Sequence, residues 1–437
     1  MFCLKRALSE QKGVVMSELK RLHTVTLDKD KCIGCASCIK RCPTEAIRIR
    51  NGKACVIYDK CIACGECVRI CPSNAKIPSY DKFDIVNNYK YKVALIAPSF
   101  YGQFDDIKDI NYILTAFRNI GFDFVYEVGI GAELVSQVTQ RLFADNKLKK
   151  PIISTACPAV LELVSQRFEN LLGNLLPLLA PVDVAAKLAR EKVAKRGVAE
   201  EDIGVFFISP CPAKVYALKA GCTVNRNYVD GVLSVAEVYM KLVTEIGKLD
   251  DARNLSEMGI LGLQWASSGG EAAGAMCRKY LAADGIENVV NILEALENGS
   301  LKDVEFVELN ACTSGCVGGV LNVENPFVAR ARLRQLRQKF PQVGITLSET
   351  GKPTSYFMAE KLPEHGESTF GNDRTLAFAR LLAVQEMYKK LPKKDCGICG
   401  APSCAAFCED VVMGRIPADS VCPIAVGTAA TGGKSDG

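Results

Sequence analysis

The sequence predicts an α/β body with mainly parallel sheets, flanked by a small α+β domain at the amino terminus and a small module at the carboxyl terminus. Three observations carry this: four apolar runs suited to buried strands, amphipathic helical patterns between them, and tightly spaced cysteines crowding both ends. The 437 residues suffice for about three domains at roughly 150 residues each. Hydrophobic residues make up 49% and charged residues 24%, the composition of an ordinary folded protein, which excludes collagen-like and disordered classes. A net charge of +5 without a long run of one sign argues against a nucleic-acid partner. The most apolar stretch, Leu171–Val182, is interrupted by Asn174, Pro177 and Pro181 and is too short for a membrane span. Residues 1–22 are charged throughout and show no secretory pattern, so the expected compartment is the cytoplasm. In reducing surroundings 21 cysteines read as metal ligands before they read as disulfides.

The amino-terminal element is a duplication. Cys32, Cys35, Cys38 and Cys42 precede Pro43, and Cys61, Cys64, Cys67 and Cys71 precede Pro72 in the same spacing 29 residues later. Three cysteines on a tight loop wrap one face of a 4Fe-4S cube, and the fourth reaches the other cube. Cys71 is therefore assigned to the first cluster and Cys42 to the second, in a ferredoxin-like α+β domain. Zinc, the competing occupant, favours two separated cysteine pairs.

In the central body, Tyr91–Ser99, Lys150–Ala156, Ile203–Pro210 and Val304–Ala311 are the expected strands. The expected helices include Ala132–Asn146 and Val182–Arg196, the latter with Asp183 as a candidate N-cap. Strand and helix alternate, so the strands should run parallel, and ligands collect at the carboxyl ends of such sheets. Three runs lead into cysteines there: Cys157, Cys211, and the pair Cys312 and Cys316.

The last element holds Cys396, Cys399 and Cys404, with Cys422 following before Pro423. The spacing C-x2-C-x4-C-x17-C resembles small iron-sulfur modules and suits another 4Fe-4S cluster, with zinc as the competitor and Cys408 as an alternative fourth ligand. Lys393 and Lys394 suggest an exposed entry to it. The expected domain limits are 1–82, 83–382 and 383–437.

The central loops resemble the three signature loops of the FeFe (iron-only) hydrogenases. The matching segments are Ser154-Thr-Ala-Cys157-Pro158, Pro210-Cys211-Pro-Ala-Lys214, and Glu308-Leu-Asn-Ala-Cys312-Thr-Ser-Gly-Cys316-Val-Gly-Gly319. The resemblance covers nearly the whole chain. It implies that Cys157, Cys211, Cys312 and Cys316 hold a fourth 4Fe-4S cluster, and that Cys316 also links it to a diiron unit with carbonyl, cyanide and a bridging azadithiolate. Together these form the H-cluster, served by three accessory 4Fe-4S clusters. Lys214 would donate to a cyanide, and backbone near Pro210, Gly269, Gly270, Gly318 and Gly319 would permit close approach. The implied reaction interconverts dihydrogen with protons and electrons carried by a ferredoxin or similar carrier, after maturation enzymes install the diiron unit.

Departures from the family matter as much. Ala156 occupies the position of a proton-relaying cysteine, and a methyl group relays nothing. The helix segment Leu134–Phe143, where relay glutamates are usual, has no acid. Ser209 and Asn310 replace common methionines and Val160 an aromatic, changing polarity near the diiron unit. This combination resembles hydrogenases assigned a sensory role, which implies slow turnover and a separate redox signalling partner. Cys3, Cys55, Cys222, Cys277 and Cys408 are expected to be packing residues. His23 and His365 are the only histidines, so thiolates should supply every cluster ligand. The competing reading is a non-catalytic iron-sulfur assembly or electron-transfer protein.

Overall fold

The computed structural model describes residues 23–425 except 108, 221–227, 343, 361, 363–368 and 372, so Cys3, Cys222 and His365 lie outside it. The chain forms two compact units. The larger is chiefly Pro78–Glu364 with the short segment Ala63–Gly65, and the smaller gathers Thr26–Ile62, Glu66–Ile77 and His365–Gly437. Sequence spacing marks three consecutive segments, whereas the fold collects the two cysteine-rich ends into one unit.

In the smaller unit, Val25–Leu27 (β1) lies beside Lys76–Pro78 (β4), and Ile47–Arg50 (β2) forms an antiparallel hairpin with Lys53–Val56 (β3). Its carboxyl-terminal part packs helix Arg374–Lys389 against helix Cys404–Val412 around Val384, Ala406, Phe407 and Val411. The two parts are stitched together at β2. Ile49 N donates to Gly400 O at 2.8 Å, and buried Asp410 accepts from Arg48 and Arg50. A left-handed backbone at Gly400 (φ +78°) permits this approach, since a Cβ there would lie 2.2 Å from the Ile49 carbonyl oxygen.

In the larger unit, Tyr91–Ile96 (β5), Phe124–Glu127 (β6), Ile203–Ser209 (β8) and Gly231–Ser234 (β9) form a parallel sheet in the order β6-β5-β8-β9. A second parallel sheet, β10-β11-β7, joins Tyr280–Asp284 (β10), Phe306–Asn310 (β11) and Ile152–Ile153 (β7). The four expected strands therefore divide between two sheets, and β6, β9 and β10 complete them. Strand β7 is only two residues long; it follows Pro151, which has no N–H for a ladder. The buried helix Val128–Asp145 (α1) begins earlier than its apolar pattern suggests and includes Glu133. Helix Pro181–Ala194 (α2) is capped by Ala180, not Asp183. Pro181 at the first helical position needs no hydrogen-bond acceptor, and Asp183 lies buried in the first turn. Among the described residues no helix is long and apolar enough to cross a membrane.

Candidate metal centre

Strand register brings the central cysteines together. Ile96 of β5 pairs with Ile208 of β8, so the segments beyond them, Ala97–Ser99 and Ser209–Cys211, leave the sheet side by side. Phe306 and Val307 of β11 pair with Ile152 and Ile153, which places the Cys312 loop beside the Cys157 loop. Loops two and three interlock through Leu321 N, which donates to Pro210 O at 2.9 Å. A Cβ on Gly319 would stand 2.2 Å from that same oxygen and one on Gly318 2.0 Å from Thr313 O, so these two glycines serve backbone packing.

Lys214 sits at the focus. Its Nζ lies 3.8 Å from Cys316 Sγ and donates to Ala156 O at 3.4 Å. Burial works against its charge, but the sulfurs of Cys316, Cys211, Cys157 and Cys312, once they are thiolates, outweigh that and raise the ammonium above its ordinary range. All four sulfurs therefore act on one half-buried cation. Burial pushes the Cys211 thiol up to about 11 and raises that of Cys316, so without metal the thiols keep their protons and ligation must expel them. The residues fit an anionic iron-sulfur group carrying further hydrogen-bond acceptors. Lys214 offers positive charge, and the fully buried Ser99, at the mouth of β5, has an Oγ without a hydrogen-bond partner.

The polar substitutions face their own loops. Ser209 Oγ donates to Cys211 O at 2.9 Å and accepts from Cys211 N at 3.4 Å, which fixes the second loop. Asn310 Nδ2 donates to the Glu308 carboxylate, Oε1, at 3.0 Å. Val160 is fully buried.

Two acids missed in the sequence lie beside these loops. Glu308 on β11 accepts from Gly269 N and Ala272 N, each at 2.9 Å. Glu271, in the turn Gly270–Gly274, accepts from Ser154 Oγ at 2.5 Å, and Ala156 N donates back to Ser154 Oγ at 3.2 Å. Burial and the neighbouring Glu308 carboxylate push Glu271 up to about 8, and burial also raises Glu308. The available signal was an acid within otherwise small or apolar stretches, Gly270-Glu271-Ala272 and Val307-Glu308-Leu309. Gly269, with φ +88° and open space where a Cβ would be, presents its N–H to Glu308.

The accessory sites fit the same chemistry. Cys32, Cys35, Cys38 and Cys71 line one cavity, together with Ile49 and Lys76. The Cys42 and Cys61 sulfurs act on Cys67, whose thiol burial pushes up to about 12. Lys76 is buried, its Nζ has no hydrogen-bond partner, and its charge acts on Cys38 and Cys67, as a cation awaiting anionic clusters would. Cys64 belongs to the segment Ala63–Gly65 of the larger unit, where Gly65 packs on Pro212 and Val320. Cys396, Cys399, Cys404 and Cys422 line another cavity, and Cys408 points instead into the apolar core with Val384 and Phe407. Among the described residues no group of three His, Cys, Asp or Glu side chains closes on a single-ion site. Cys55 is exposed and Cys277 half-buried.

Comparisons with known proteins found matches in all three cysteine-bearing regions. Residues 90–278 and 265–320 match the family "Iron only hydrogenase large subunit, C-terminal domain", residues 24–72 a 4Fe-4S dicluster domain, and residues 391–423 an Fe-S cluster family. Iron hydrogenase 1 of Clostridium pasteurianum is 23% identical over 377 residues, 69% of this chain and 65% of that protein, so the chain spans just under two thirds of that relative. The periplasmic [Fe] hydrogenase large subunit of Nitratidesulfovibrio vulgaris is 26% identical over 371 residues, 68% of this chain and 86% of the relative. A solved structure of the [FeFe]-hydrogenase HydA1 from Chlamydomonas reinhardtii aligns at 15% identity and a TM-score of 0.46, covering 63% of this chain and 95% of that one. With its family match extending over more than half of its length, this chain belongs to the iron-only, or FeFe, hydrogenase family.

Proposed function

We propose that this protein interconverts dihydrogen with protons and electrons at an H-cluster, turns over slowly, and serves as a dihydrogen or redox sensor in the cytoplasm. The observation that carries the reading is the convergence of Cys157, Cys211, Cys312 and Cys316 on the half-buried Lys214, whose Nζ lies 3.8 Å from Cys316 Sγ. When bound, the diiron unit supplies heterolytic cleavage and formation of dihydrogen. Cys157, Cys211, Cys312 and Cys316 would hold the cube, with Cys316 as the covalent link to the diiron unit, and Lys214 would orient that unit by a charge-assisted hydrogen bond. Ala156 can neither give nor take a proton. Glu271 can: a carboxyl titrating near 8 both holds and releases a proton around neutrality, and Ser154 links it to the backbone at Ala156. The carboxyl-terminal cysteine cavity supports a signalling output, because a cluster held there would add an electron acceptor beyond the catalytic loops.

Infrared spectroscopy of the matured protein tests the reading. Carbonyl and cyanide bands are expected, and cubes without such bands would leave the assembly or electron-transfer alternative standing. Two variants test the proton account. Ala156→Cys should raise hydrogen evolution and alter its pH dependence; if neither moves, the missing thiol is not the cause of slow turnover. Wild-type evolution should fall as pH rises through about 8, where Glu271 loses its proton. Glu271→Gln should remove that limb and slow evolution by about 10²-fold or more.

A further inference from the structure

The smaller unit places two cysteine-lined cavities on either side of one residue. Ile49 lines the cavity of Cys32, Cys35, Cys38 and Cys71, and its N–H donates at 2.8 Å to the carbonyl of Gly400, between Cys399 and Ala401 of the other cavity. Neighbouring contacts repeat this juxtaposition. Gly397, beside Cys396, would place a Cβ 3.3 Å from Ile39 Cδ1, and Ile39 adjoins Cys38. Lys40 donates to Asp395 O and, at 3.3 Å, to Pro402 O, binding both shoulders of the carboxyl-terminal loop. Arg50 Nη1 reaches Cys399 O at 3.5 Å. Toward the second ferredoxin-like cluster the tie is instead the ion pair Lys60–Glu409, whose acid lies on the helix after Cys404.

We propose that the carboxyl-terminal cluster exchanges electrons with the Cys32–Cys35–Cys38–Cys71 cluster, and that Ile49 and Gly400 form the contact between them. The carboxyl-terminal module is then wired to the first ferredoxin-like cluster and only through it to the second. Each transfer moves one electron: one cluster is oxidised by one unit, its neighbour reduced by one, with no bond made or broken and no proton moved. That dihydrogen is the ultimate electron source rests on the function proposed above; the wiring itself does not. A signal read at the carboxyl-terminal cluster would thus report the state of the first cluster.

The test uses full-length protein, reconstituted with iron and sulfide and reduced with dithionite, and reads spin–spin interaction by electron paramagnetic resonance. In a Cys64→Ala background, which disables the second cluster, adding Cys396→Ala should narrow the signal of the first cluster. In a Cys35→Ala background, adding Cys396→Ala should leave the widths of the remaining signals unchanged. Iron analysis verifies which cluster each substitution has cost. Gly400→Ala, which forces a Cβ against the Ile49 carbonyl, should weaken the interaction while iron content is kept. The opposite pattern, or no narrowing in either background, overturns the proposal. Dithionite supplies the electrons, so this result is independent of dihydrogen chemistry, whose failure would show separately as missing carbonyl and cyanide bands.

Discussion

Lys214→Met protein should keep its four central cysteines and their cube but fail to retain the diiron unit. All four sulfurs act on this lysine, and its Nζ stands 3.8 Å from the sulfur assigned as the shared ligand. A hydrogen bond to a charged group contributes roughly 1.5–3 kcal/mol, and each 1.4 kcal/mol or so is about tenfold in binding. The carbonyl and cyanide bands should therefore weaken by about ten- to a hundredfold at a fixed supply of diiron precursor. A merely structural role predicts something else. In the metal-free protein burial keeps the neighbouring thiols neutral and Lys214 is only half-buried, so replacing it with methionine should change stability in urea little. Normal bands, or a loss of folding that precedes any loss of bands, would refute the assigned role. Arginine should not substitute, because its planar fork cannot reproduce a compact ammonium in this space.

The cysteines that line the two cavities of the smaller unit were legible because cysteine spacing is a local property, and so were the strands that deliver three of the central loops. Where strands join was not. The apolar runs at 91–99 and 203–210 pair with each other, while those at 150–156 and 304–311 pair in a different sheet, and nothing in their composition separates the two couples. The acids at the site were hidden for a similar reason. Glu271 lies in a turn and Glu308 on a strand, and only folding presses one against the other. Glu133 on α1 lies one residue before the acid-free stretch Leu134–Phe143; burial pushes it up to about 7, and its Oε1 accepts from Gly262 N at 3.2 Å. Asn310 was readable as a polar residue near the centre, but its partner Glu308, two positions away on the same strand, was not weighed. The joining of the two chain ends rests on Arg48, Arg50 and Asp410, ordinary charges about which spacing is silent.

That joining gives the second large effect. Asp410 is fully buried and binds Arg48 through two hydrogen bonds, Nε to Oδ2 at 2.5 Å and Nη2 to Oδ1 at 3.1 Å, while Arg50 and Arg415 approach the same carboxylate. Arg48 is 2% exposed and cannot recover its hydration in place. Removing one partner of a buried pair costs about 3–5 kcal/mol, chiefly for the charge left behind. Asp410→Ala should therefore loosen the smaller unit, and Asp410→Asn, which keeps the shape but not the charge, should do so as well. Because the protein has two units, one unfolding midpoint is a poor measure. Hydrogen exchange by segment is suited to the question: amides of β2 and of helix Cys404–Val412 should exchange about a hundredfold faster or more, and those of the parallel sheet β6-β5-β8-β9 should not change. Unchanged protection at β2 would mean that the Ile49–Gly400 hydrogen bond, Lys40 and the Lys60–Glu409 ion pair hold the ends together without Asp410. Protection lost there but kept within Cys404–Val412 would show that the carboxyl-terminal module folds by itself and that Asp410 governs only its docking.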